Sequence, residues 1–131
     1  MVMIVKTITV PANTPADNPM TEYVELPKGI LHRIEYLFPW GHFCLLRVAV
    51  FYGLEQISPY HESEWLCGNG ETVRDDLYFE LPEKPTTLTV KLYNLDEVYD
   101  HTIYIRFHIK QEKQLTESLL TRLLRGLGLM R

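Results

Sequence analysis

Five histidines, His32, His42, His61, His101 and His108, and two cysteines, Cys44 and Cys67, are the residues of this 131-residue chain best suited to chemistry. In a small strand-rich protein, two or three histidines with a glutamate at the mouth of a barrel would hold zinc, iron or manganese. None of the five stands at a ligand spacing, for the chain contains no His-X-His, no His-Glu-X-X-His and no Cys-X-X-Cys. The densest ionisable cluster is His61, Glu62 and Glu64 with Cys67 nearby, where a cysteine–histidine nucleophile would be sought. Such catalysis needs a base, an orienting carboxylate and an oxyanion donor fixed together, and a short polar run of this kind reads as a solvated loop instead. Gly68-Asn69-Gly70 lacks the Lys-Ser/Thr of a phosphate loop and reads as a tight turn. Asp75 and Asp76 read as charged turn residues at the start of a strand. The expectation is no enzyme, no cofactor and no metal.

Aromatic side chains offer a different chemistry. Trp40, Tyr60, Trp65, Tyr93 and Tyr99 all fall in or beside expected loops, and exposed rings of this kind stack on sugars. Trp40, Trp65 and Tyr60 are the candidate ligand aromatics. A sandwich also uses such residues to plug its open ends, and plugging is the stronger expectation for Trp40 and Trp65.

The elements that must position these residues alternate at period two. Strands are expected at residues 3–10, 21–26, 30–38, 43–52, 55–58, 76–81, 87–93 and 101–109, separated by Pro, Gly, Asn and Asp. In the third, Ile30, His32, Ile34, Tyr36 and Phe38 share one face. The fourth, FCLLRVAVFY, is the most apolar and is expected in the middle of a sheet. Eight strands without an intervening helix predict an all-β fold, an antiparallel eight-stranded β-sandwich of jelly-roll-like form. Cys44 reads as a small buried hydrophobe and Cys67 as lying near the surface, and their pairing is left open. The positions of Cys44, Cys67, Trp40 and Trp65 do not match an immunoglobulin core pin.

The chain divides into a β-sandwich domain over 1–110 and a C-terminal amphipathic helical tail over 111–131. In the tail, Leu115, Leu119, Leu120, Leu123, Leu124 and Leu127 recur on one helix face, with Arg122 and Arg125 elsewhere on the surface. Residues 1–109 carry 8 Lys/Arg against 15 Asp/Glu, and residues 110–131 carry 5 against 2, so a basic tail hangs on an acidic body. The body has too few cations in a row to grip nucleic acid, and no stretch reaches the length of a membrane span. The leucine stripe with Arg122 and Arg125 is the expected partner-binding element, inserting into a groove of a sister subunit or another protein.

The opening strand, TPADNP at 14–19, LPKGIL at 26–31, FPWGH at 38–42, CGNGET at 67–72 and DHTIYIRFHI at 100–109 together resemble small β-sandwich structural proteins of tailed bacteriophages, head decoration proteins among them. The resemblance covers nearly the whole body and transfers no site residue. It implies a non-enzymatic virion part, often trimeric, lying on or clamping a shell of coat protein. The expected protein is thus a homo-oligomeric assembly subunit, a trimer favoured, that docks on a protein shell by its helical tail, found in the virion if phage-encoded and in the cytoplasm otherwise. A carbohydrate-binding jelly-roll module is the alternative, and a small cupin-like metal enzyme ranks third.

Overall fold

In the computed structural model, which describes residues 2–61, 64–83 and 85–111, the chain forms eight antiparallel strands in two sheets. They are β1 (Val2–Val10), β2 (Met20–Leu26), β3 (Gly29–Phe38), β4 (Leu46–Tyr52), β5 (Glu55–Ser58), β6 (Glu71–Leu81), β7 (Thr86–Asn94) and β8 (His101–Lys110). One sheet has the order β1-β8-β3-β6 and the other β2-β7-β4-β5. The first strand pairs with the last, the second with the seventh, the third with the sixth and the fourth with the fifth. The chain is therefore one long hairpin ribbon, folded at Gly53-Leu54 and wound so that β3 also meets β8 and β4 also meets β7. A two-residue turn that matches strand twist needs positive φ at its first position, and Gly53 supplies it with φ +60°.

Winding the ribbon makes the two ends of the sandwich unequal. The connections 11–19, 39–45, 59–70 and 95–100 all gather at one end, here the loop end, while 27–28, 53–54 and 82–85 close the other, the turn end. β8 finishes at the turn end, where Lys110 is paired with Ile30. The expected helical tail lies outside the described residues.

Alternation on the strands delivers the core. Ile8, Val10, Val24 and Leu26 join Ile34, Tyr36, Phe38, Val48, Val50, Leu88, Val90, Leu92, Ile103, Ile105, Phe107 and Ile109 in one buried cluster. β4 lies inside its sheet, as its apolar run implies, and even Ala49 on its outward side is fully buried.

Three departures from strict alternation matter. In β3 the register shifts between Leu31 and Arg33 against both neighbours, so His32 is an extra residue relative to β8, and Leu31 rather than His32 joins Ile34 in the core. β4 begins at Leu46 rather than at residue 43, because Phe43 and Cys44 adopt φ of +47° and +59°. β6 begins at Glu71, so Asp75 and Asp76 sit within a strand and are not turn residues. Asp76 faces outward between two arginines, 2.8 Å from Arg33 Nε and 3.3 Å from Arg74. The hydrogen bond from Arg33 holds its carboxyl below the usual range.

Asp75 has an inward place on an edge strand, which explains an otherwise costly carboxylate. The two open sides of the sandwich are each closed by polar side chains. On the β1/β2 side, Lys6 lies 3.8 Å from Glu22. On the β5/β6 side, the buried Tyr36 hydroxyl lies 2.6 Å from Ser58 Oγ, and Ser58 Oγ donates to Asp75. Burial, with Asp75 close by, pushes the Tyr36 hydroxyl far above its usual range, so it stays protonated and able to donate. Tyr36→Phe should remove one buried hydrogen bond and lower the unfolding free energy by about 1 kcal/mol, measured by urea titration. A shift in the transition midpoint with unchanged slope is the expected form.

Candidate functional site

The loop end is stitched together by polar groups that are far apart in sequence. The side chain of Asn94, at the end of β7, is fully buried. Its amide donates to the carbonyls of Val10 at 3.2 Å and Tyr99 at 3.0 Å, and its oxygen accepts from the Asp96 N–H at 3.0 Å. Asp96 in turn accepts from the N–H groups of Val98 and Tyr99 through Oδ1 and meets His101 Nε2 at 2.8 Å through Oδ2. Those backbone donors hold the Asp96 carboxyl below its usual range, with His101 adding to the effect. The proline-rich connection 11–19 is bound to the same turn: Asn13 N donates to Asp96 O, Asn13 Nδ2 to Glu97 O and Ala12 N to Asp100 Oδ1.

The His101 ring packs against His42, with centroids 4.6 Å apart, and His42 packs edge-on against Phe38. His42 is buried, and its Nδ1 has no hydrogen-bond partner among the described residues. Desolvation, reinforced by His101, lowers its proton affinity, so the ring is neutral at physiological pH.

This packed base raises a corner whose tips face solvent. Cys44 and Cys67 form a disulfide that ties the 39–45 connection to the 59–70 connection. Four further bonds fasten the corner, Gly41 N to Asn69 Oδ1 at 2.9 Å, Leu45 N to His42 O at 2.8 Å, Cys44 N to Gly68 O at 3.3 Å and Gly70 N to Pro39 O at 3.3 Å. The Trp40 ring lies directly over Gly70, which has φ +63° and where any Cβ would collide with the indole. Trp40 is nevertheless 80% exposed and Phe43 71%, with Val98 and Tyr99 also exposed on the adjoining turn. The loop end thus carries large exposed apolar side chains on a cross-linked frame.

The three candidate ligand aromatics do not converge. Trp40 stands at the loop-end corner and plugs nothing. Trp65 lies on the outer face of the β2-β7-β4-β5 sheet, its ring 5.0 Å from Tyr93 and 6.2 Å from Phe51, beside a bridge in which Leu66 and Val48 exchange both backbone bonds. It covers β4 from outside rather than filling an end. Tyr60, 80% exposed, borders two surface depressions on the β5 side, one of which also reaches Phe51. The five histidines are equally dispersed. His42 and His101 meet at the loop end, His32 and His108 approach each other on the outer face of the other sheet, and His61 pairs with Glu64 at 3.8 Å on the surface. Among the described residues no three His, Cys, Asp or Glu side chains form a group that could hold a metal ion. Leu115, Leu119, Leu120, Leu123, Leu124, Leu127, Arg122 and Arg125 lie outside the described residues.

No protein-family model matches the sequence, and no curated protein does. Among solved structures, the chain is similar to the pre-peptidase C-terminal domain of a collagenase from Bacillus anthracis, at 14% identity over 76% of this chain and 85% of that one, with a TM-score of 0.38.

Two outcomes follow from the stitching. Asn94→Ala should lower the unfolding free energy by about 2 to 3 kcal/mol, since it orphans buried carbonyl and amide groups, while Asn94→Asp should recover little because it lacks the two donors. The neutral, buried His42 makes stability depend on pH. The unfolded histidine titrates near 6.5 and the folded one lower, so the unfolded chain binds more protons below that pH and stability falls as pH drops from about 6.5. His32, also depressed by desolvation and by Lys110, acts in the same direction. A urea series across this window should show the decline, and His42→Gln should flatten part of it.

Proposed function

We propose that the protein is a non-enzymatic assembly subunit of the virion type, a jelly roll that forms a homo-oligomer, with a trimer favoured, and docks on a protein shell. The observation that carries this reading is the cross-linked loop end, where Trp40, Phe43, Val98 and Tyr99 expose apolar surface on a frame held by the disulfide and the Asn94–Asp96–His101 bonds. Pre-ordered apolar tips lose little conformational freedom on docking, which is how a small surface becomes a specific one. The ribbon pairing of first strand with last through fourth with fifth is the strand order of a jelly roll, a fold found in capsid and lectin domains. The resemblance of the body to tailed-phage structural proteins supports the same reading.

In this account the two ends divide the work. The loop end meets the shell, and the basic leucine segment, which follows β8 at the turn end, holds neighbouring subunits together. Arg122 and Arg125 would face the acidic bodies of those neighbours.

One observation favours the carbohydrate-binding reading as a second possibility. The Trp40 indole is held flat against the backbone at Gly70 and is largely open to solvent, as a sugar-stacking platform is. The two readings separate by mutation. Leu119→Asp with Leu123→Asp should leave a folded, strand-rich body by circular dichroism and reduce the mass measured by light scattering to that of one chain. An unchanged mass sinks the assembly reading. Trp40→Ala should abolish glycan-induced fluorescence changes if the protein is a lectin, and a glycan array without a hit on the intact protein removes that alternative.

A further inference from the structure

The groove between β5 and β6 has properties that the loop-end account does not use. It holds about 450 Å³ and is floored by Ile57, Leu77 and Phe79, with Phe79 supported by the Tyr52 ring at 5.5 Å. Tyr60 and Tyr78 form its walls, 80% and 70% exposed. Its polar groups are carboxylates, Glu55 on the rim, Asp75 in the floor and Asp76 on the outer lip. Arg33 and Arg74 offset Asp76, and Asp75 already accepts from Ser58, which leaves Glu55 as the acidic group at the rim. An apolar floor between tyrosines with carboxylates at the margin suits an apolar segment that carries arginine, which can pair with a carboxylate and stack on a tyrosine face.

The geometry points to this groove as the receptor for residues 113–129 of a second copy of the chain, and the inference rests on the assembly reading above. Six leucines with Arg122 and Arg125 in that segment, on one stripe if it is helical, match in chemistry the apolar floor and the acidic rim of the groove. A second copy fits better than the chain's own end. β8 runs toward the turn end and stops at Lys110, which shares Ile30 as a pairing partner with Glu80 of β6. From Glu80 the groove extends back along β6 toward Asp75, opposite to the direction of β8. To enter its own groove the chain would have to reverse at once, and residues 110–121 (KQEKQLTESLLT) contain no Gly, Pro, Asn or Asp to make a tight reversal. A neighbouring subunit's segment meets no such requirement, and reciprocal exchange of the segment around a ring closes the assembly.

The test uses the full chain with Tyr60 replaced by p-benzoylphenylalanine, prepared in unlabelled and ¹⁵N-labelled forms that are mixed, allowed to assemble and irradiated. The expected result is mixed-isotope cross-links from position 60 to a peptide within residues 113–129. Cross-links confined to one isotope, cross-links to other peptides, or none from a sample that light scattering shows to be oligomeric would overturn the groove assignment while leaving the assembly reading in place. A sample that is monomeric throughout overturns both. Glu55→Arg, on an exposed rim position, should raise the concentration needed for half-assembly by about tenfold at low salt and by less at high salt. No change at either salt concentration counts against the groove.

Discussion

The buried amide of Asn94 is the constraint on which the loop end depends. A side-chain amide removed from water must find partners for its donors and acceptor, and Asn94 finds them in two places: the end of β1, and the β7–β8 turn, where it meets the backbone of both Tyr99 and Asp96. Satisfying it fixes Asp96, and Asp96 fixes the turn through Val98 and Tyr99 and the imidazole of His101. His101 then supports His42, which stands beneath the corner that carries Trp40 and Phe43. The exposed rings are consequently the last members of a chain of dependencies that begins inside the sandwich. The disulfide between Cys44 and Cys67 fastens the same corner from its other side.

The wound hairpin gives this arrangement its direction. Because β1 pairs with β8 and each later pair nests inside the one before, the longer connections collect at one end and tight turns at the other. The loop end therefore offers apolar tips, while β8 finishes at the opposite end. Its open sides are finished by Lys6 with Glu22 and by Tyr36, Ser58 and Asp75, polar pairs that mark the edges of the two sheets. The same economy appears on the outer face of β3 and β8, where Glu35 accepts from His108 and lies 3.9 Å from Arg106.

Much of this body was legible in the sequence, because alternation and Pro/Gly punctuation report directly on which strand face is buried. All eight expected strands overlap observed ones, β4 starting later and β6 earlier than the pattern puts them, and in β1, β7 and β8 the burial alternates residue by residue. Where the pattern misled, a local feature outweighed it. The bulge at His32 exchanges faces within β3, an event with no composition signal. Phe43 and Cys44 continue an apolar run that looks like strand, yet their positive φ belongs to a cross-linked corner. Asp75 broke the alternation of β6 because a carboxylate on the inward face makes sense only once Ser58 is placed beside it. Of the candidate site, the exposure of Trp40 could be suspected from FPWGH, but its support could not. Asn94, Asp96, His101 and His42 are brought together by the fold and not by any spacing a motif would record. His42 is the residue whose role sequence reasoning missed, since a lone histidine after Trp-Gly carries no sign of burial.

Under the proposed function this chain is a subunit and not a solitary binder. Sedimentation equilibrium of the intact protein over a wide concentration range tests it most directly, because mass is read without reference to any partner. The expected result is a single closed assembly at a fixed multiple of 15.4 kDa, three chains being favoured, which dissociates as salt is raised. A mass of one chain at every concentration and salt would contradict it.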